Sequence, residues 1–213
     1  MTNPQKTGNG SALWIGALVV VIVLGVIAVA VARGGSDDEA TGQVGTVDTS
    51  ASVGGTGALP PYDDSSEDPA VGSTIPTVTG TTFSGDDLTI GPDGTAKVML
   101  FVAHWCPHCQ REIPRIKEHL DSNPLPDGVE LLTVSTSVKP GAENYPPQDW
   151  LEAEEWSAPV VADDEANSIA STYGLSGFPF FVVVDADGKV VQRMSGELST
   201  EQFDAAVAAA QGA

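Results

Sequence analysis

The junction at residues 97–114, KVMLFVAHWCPHCQREIP, restricts the fold more than any other stretch of this chain. KVMLFVA is a mostly apolar run rich in β-formers, as expected of a strand covered on both faces. It leads almost directly into residues 107–120, which read as a helix with Pro114 in its interior as an expected kink. The joint places Cys106 at a helix N-terminus, where unpaired N–H groups and the positive end of the helix dipole favour a thiolate. Cys109 follows about one turn later on the same face, close enough to close a small disulfide loop. Cys106, at the tip, is the expected nucleophile; Cys109, further into the helix, is the expected resolving thiol. These are the chain's two cysteines.

The elements downstream suit the same architecture. VELLTVSTS (129–137) is a second strand candidate, and PPQDWLEAEEW (146–156) is helical in spacing. PVVADD is short and extended, and DEANSIASTYG (164–174) reads as a helix stopped by Gly174. FPFFVVVDADGKVVQRMSG (178–196) holds two β-rich runs around Asp187-Gly188, a hairpin signal. STEQFDAAVAAAQ (199–211) closes the chain as a helix, with Ser199 or Thr200 as N-cap and Phe203, Val207 and Ala210 on one apolar face. The order β-α-β-α-(β)-α-β-β-α defines one layered α/β domain over residues 73–213. Tyr145, Trp150 and Trp156 are expected to hold a helix onto the sheet.

Residues ahead of this domain have another character. After a short tail (1–11), residues 12–32 run for 21 positions without a charge, roughly 31 Å as a helix, which matches a hydrocarbon core of about 30 Å. That core is longer than in an ordinary signal peptide, so an uncleaved, single-pass membrane anchor is expected. Lys6 and Arg33 nearly balance across it, and the chain after the anchor is expected outside the cytoplasm. Residues 33–72, rich in Gly, Ser, Thr and Asp, read as a disordered acidic tether. The net charge of −20, from 9 basic and 29 acidic residues, repels nucleic acid and anionic headgroups, and both are discounted as partners.

WCPHC at 105–109, Pro114 and GFPF at 177–180 together resemble the thioredoxin superfamily over roughly residues 74–211. The resemblance implies a thioredoxin fold, a central mixed sheet flanked by helices. It implies that Pro179 is cis and faces the cysteine pair, and that Trp105, Pro107 and Phe178 receive an extended protein substrate. Two subfamily patterns meet here. The Pro107-His108 dipeptide is similar to that of DsbA-like oxidants, in which the histidine stabilises the first thiolate. CPHCQREIP also resembles the C-x-x-C-x-x-E-x-P pattern of membrane-anchored TlpA/ResA-like reductases, which implies that Glu112 serves Cys109 as a proton acceptor. Leu100 stands where many thioredoxins carry a buried acid, leaving Glu112 as the substitute. Phe178 is bulkier than the residue often found before the cis proline.

The implied activity is thiol-disulfide exchange with protein thiols and disulfides. The implied cofactor is none beyond the redox-active Cys106–Cys109 disulfide itself, and a membrane redox partner is expected to recycle the pair. A redox-silent binding or metal-carrying module on the same fold is the alternative. His104, Cys106, His108 and Cys109 are suitable ligand types for zinc or copper, although one helix tip would point them apart. A purely structural disulfide is disfavoured, because so small a loop removes little unfolded-state entropy. Peroxide reduction lacks a separate peroxidatic cysteine.

Overall fold

A computed structural model describes residues 52–54, 57–64 and 67–212. The expected tail, the anchor at 12–32 and the start of the expected tether lie outside the described residues. Among the described residues no helix is long and apolar enough to cross a membrane.

The strands are β1 (Ser52–Gly54), β2 (Thr77–Thr82), β3 (Asp87–Ile90), β4 (Ala96–Val102), β5 (Val129–Ser135), β6 (Val160–Ala162), β7 (Phe180–Val184) and β8 (Val190–Ser195). The helices are α1 (Pro107–Ser122), α2 (Pro147–Ala153), α3 (Ser168–Thr172) and α4 (Thr200–Gly212). One mixed sheet runs β1-β2-β6-β5-β4-β7-β8, with β3 paired to β2. β4 lies parallel to β5 on one side and antiparallel to β7 on the other.

This central position explains the unbroken apolar run of β4, since alternate residues enter two different cores. Val98, Leu100 and Val102 join Phe181, Val183, Ile113, Ile116 and Phe203 on the face covered by α1 and α4. Met99 and Phe101 join Phe180, Val182, Ile169 and Tyr173 on the other. Leu100 is fully buried in the first core, together with both cysteines. Trp150 is likewise core, and Trp156 packs against it partly buried.

Several elements differ from expectation. α3 is only five residues and starts four positions later than expected, with Asn167 as its N-cap residue and the carboxylates of Asp163 and Asp164 meeting its first N–H groups. Asp163 accepts from the N–H groups of Ile169 (2.8 Å) and Ala170 (3.0 Å), and Asp164 from Ser168 (2.8 Å). In α4 Ser199 is the cap: its hydroxyl accepts from Gln202 N–H at 3.2 Å, while Gln202 Oε1 accepts from Ser199 N–H at 2.8 Å. The expected hairpin forms, with Gly188 at φ +76° in its turn.

The expected tether end at residue 72 is corrected. Leu59 and Ala70 are buried, and Leu59 N–H donates to Thr172 O at 2.8 Å. Asp68 receives Nε and Nη2 of Arg193 at 2.8 and 2.5 Å, and Nη1 of Arg193 reaches Pro60 O (2.8 Å) and Tyr173 O (3.0 Å). Residues 57–64 and 67–72 therefore belong to the folded domain. Their own composition is too polar to imply a core; the partners that hold them lie more than a hundred residues on.

Candidate active site

β4 and α1 bring the site together as the joint in the sequence requires. Cys106 is the N-cap of α1, with φ −82° and ψ 118°, and Pro107 occupies the first helical position, where its missing N–H is not needed. Both cysteines are free thiols; Cys106 is 6% exposed and Cys109 is fully buried. Burial pushes the Cys109 thiol well above the ordinary cysteine range. A backbone hydrogen bond from Ala103 opposes that shift, while the Cys106 sulfur and the Glu197 charge add to it. Of the two thiols, Cys106 is the one at the helix tip, and Cys109 is the one whose proton is firmly held.

The residues expected around the pair are placed as follows. Trp105 donates its indole N–H to Ser137 O at 2.7 Å and meets Phe178 edge-on, with ring centroids 6.0 Å apart. The Lys139 ammonium lies 3.3 Å from the centroid of the same indole. The Phe178–Pro179 bond is cis, and the Trp105–Phe178 contact brings its turn beside the residue preceding Cys106. Pro107 and His108 are exposed at the tip of the helix. Trp105, Phe178 and Lys139 form a half-exposed aromatic and cationic wall beside Cys106.

Glu112 is fully buried rather than lying on a helix surface. Its Oε1 accepts from Leu198 N–H at 3.2 Å, and its Oε2 pairs with Arg115. These bonds satisfy a carboxylate that would otherwise be costly to bury.

His108 reaches a residue that sequence reasoning missed. Its Nδ1 lies 2.6 Å from Oε1 of Glu197 and 2.8 Å from a terminal nitrogen of Arg111. A protonated Nδ1 donates to the first; a bare one accepts from the second. Arg111 Nε also donates to Glu197 at 3.2 Å, and Arg115 Nη1 lies 3.4 Å from its Oε2. Hydrogen bonds from Arg111 and then His108 hold the Glu197 carboxyl down to about 2. The available signal was the spacing of 108, 111 and 115 on one helical face, which gathers three potential cations. Nothing local pointed to Glu197 as the acid.

His104 was also underestimated. It is fully buried, its Nδ1–H donates to Glu143 O at 2.7 Å, and its Nε2 accepts from Lys139 N–H at 3.1 Å. Burial holds it below the ordinary histidine range, against the Glu143 carbonyl, and Lys139 adds to the lowering. Its ring contacts Tyr145 at 5.9 Å. His104 therefore fastens residues 139–145 beside the site. Both ring nitrogens are committed to backbone groups, which leaves neither for a metal. Among the described residues no group of three or more His, Cys, Asp or Glu is arranged to hold a metal ion.

A mixed sheet flanked by helices, with a C-x-x-C pair capping the helix after its central strand and a cis proline before the hairpin, defines a thioredoxin-fold protein with a vicinal dithiol. Residues 67–193 match the family model for AhpC/TSA, and the chain belongs to that family. Among curated proteins it is 26% identical over 122 residues to sporulation thiol-disulfide oxidoreductase A of Bacillus subtilis, covering 57% of this chain and 72% of that protein. It is 28% identical over 145 residues to the thiol-disulfide oxidoreductase ResA of Bacillus cereus, covering 67% and 80%. The crystal structure of StoA from Bacillus subtilis superposes with a TM-score of 0.52 at 24% identity, over 65% of this chain and 98% of that one.

Proposed function

We propose that this protein is a membrane-tethered, extracytoplasmic thiol-disulfide oxidoreductase that exchanges disulfides with protein substrates through Cys106 and Cys109. The observation that carries the reading is the asymmetry of the pair: Cys106 caps the helix and keeps 6% of its surface exposed, and Cys109, one turn behind it, is fully buried. The activity named for both Bacillus relatives supports it.

In the reducing direction the Cys106 thiolate attacks one sulfur of a substrate disulfide. A Cys106–substrate bond forms, and the substrate's other sulfur leaves as a thiolate. Cys109 then gives up its proton and attacks the Cys106 sulfur. The intramolecular disulfide forms, and the substrate departs with both sulfurs reduced. Two electrons pass from the protein to the substrate. The oxidising direction is the same path reversed, beginning with attack of a substrate thiolate on Cys106. Glu112 acts as proton carrier in this reading, and Trp105, Pro107, Phe178 and Pro179 hold the substrate backbone. No cofactor beyond the disulfide is invoked. Residues 12–32 supply the anchor, supported by their length and lack of charge. A chain with only these two cysteines also suits an oxidising compartment, because no third thiol can mispair.

The deciding experiment is equilibration of the Cys106–Cys109 couple with glutathione, paired with single-turnover assays on a dithiol and a disulfide peptide. A potential near about −120 mV, the range of strong oxidants of this fold, assigns a disulfide donor recycled by a membrane oxidant. A value near or below about −270 mV, the thioredoxin range, assigns a reductant supplied with electrons across the membrane. A couple that never equilibrates, in a protein carrying stoichiometric copper or zinc, overturns the reading in favour of the binding module.

A further inference from the structure

We propose that Glu197 is a positioning residue that sets the redox poise of the Cys106–Cys109 couple, by gathering His108 and Arg111 into one ion cluster beside it. The inference rests on the oxidoreductase reading and adds a residue to it.

An exposed ion pair in an acidic protein ordinarily does little. This one is built differently. The segment bearing Glu197 is pinned on both sides: Gly196 N–H donates to Pro179 O at 2.8 Å, and Leu198 N–H donates to the buried Glu112 at 3.2 Å. Gly196 itself sits at φ +98°, a conformation that a side chain would strain. Glu197 is thereby fixed between the proline turn and the interior of α1. Its single carboxylate faces His108, Arg111 and Arg115, all from one face of that helix. The cluster is tied to the dithiol by the helix itself: His108 lies between Cys106 and Cys109 in the first turn of α1, and Arg111 follows one turn later.

The charges act only on the reduced state. The disulfide carries none, whereas reduction by two glutathione thiols gives the Cys106–Cys109 dithiol and glutathione disulfide, and any negative charge that gathers on Cys106 belongs to that reduced form alone. Cations beside Cys106 favour that product and make the couple more oxidising. Glu197 neutralises those cations and adds an opposing charge near Cys109. It therefore restrains the oxidising tendency that the Pro107-His108 dipeptide would otherwise impose.

The test is the glutathione equilibrium constant of the full-length chain in detergent. Glu197→Gln keeps the side-chain shape and should shift the constant about tenfold toward the dithiol, equivalent to about 30 mV for a two-electron couple. Arg111→Gln should move it in the opposite direction. Asp204→Asn is the charge control: it removes the same charge from a comparable pair, His119–Asp204 at 2.6 Å, away from the cysteines, and should leave the constant in place. A Glu197→Gln constant within twofold of wild type overturns the inference, as does an equal shift in Asp204→Asn. If the wild type itself fails to equilibrate with glutathione, the oxidoreductase reading falls with it; an unmoved Glu197→Gln beside an active wild type defeats this inference alone.

Discussion

Two arginine–carboxylate clusters stand on this domain, and they differ mainly in their access to water. In the Arg193–Asp68 cluster the arginine side chain is 0% exposed and the carboxylate side chain 10%. In the Arg111–Glu197 cluster the corresponding figures are 55% and 23%. The first is saturated: Arg193 spends its donors on Asp68, Pro60 O and Tyr173 O, all in fixed positions. The second shares the Glu197 carboxylate among His108, Arg111 and Arg115, with Arg115 also held by Glu112, and one histidine nitrogen has two competing partners. Identical chemistry thus serves two ends. Sealed from solvent, it fastens a polar segment to the sheet; left half-open beside a dithiol, it can shift charge without unfolding anything.

The comparison breaks most severely where the reacting atom is removed. Cys106→Ser should reduce dithiol turnover to the uncatalysed rate while leaving the melting temperature close to wild type, and Cys109→Ser should accumulate mixed disulfides visible on non-reducing gels. Unchanged turnover in Cys106→Ser would detach the half-open cluster from any chemistry. Next in size is Arg193→Met, which strands the Asp68 carboxylate and should cost about 3–5 kcal/mol in urea unfolding. The redox constant should not move, since this cluster lies outside the site.

A smaller effect separates the clusters by pH. The hydrogen bond from Arg193 holds the Asp68 carboxyl below its ordinary range, against burial. A carboxylate depressed in the folded state stabilises fully above its unfolded pKa, about 3.9, and that contribution is lost as pH falls through the folded value. Urea midpoints compared at pH 5 and pH 3 should therefore converge between wild type and Asp68→Asn at the lower pH. A gap that stays constant contradicts the assignment. Smallest of all, Ser199→Ala removes the cap of α4 two residues beyond Glu197 and should cost about 1 kcal/mol. It should leave the glutathione constant untouched, which would show that charge at 197, rather than helix integrity nearby, governs the couple.

The parts of the molecule legible in the sequence are those with local signals. β4, α1, the closing hairpin and α4 follow from apolar runs, turn residues and a cap within a few positions of each other. The dithiol was legible for the same reason, since one strand–helix joint contains all of it. β2, read from TVTGTT, is half polar and lacks any such signal; its strand character comes from pairing with β3 and β6. Residues 57–72 looked like tether because Leu59, Asp68 and Ala70 find their partners only after the chain has folded back. Glu197 and His104 failed to stand out on the same ground. Each owes its role to groups distant in sequence: the cations of α1 for one, the backbone of residues 139 and 143 for the other.

The burial of Cys109 has a kinetic consequence. Leu100, in the same apolar cluster, offers no acid from the sheet side, so in the proposed exchange Glu112 alone is left to take the proton that blocks release of a captured partner. In the proposed exchange the domain acts as a latch with a timer, holding its partner through Cys106 until Cys109 ionises. Because the thiolate fraction rises about tenfold per pH unit below a thiol's pKa, the holding time should shorten by about that factor for each unit of alkalinity. How long a client stays captured is thus written into the depth of one sulfur.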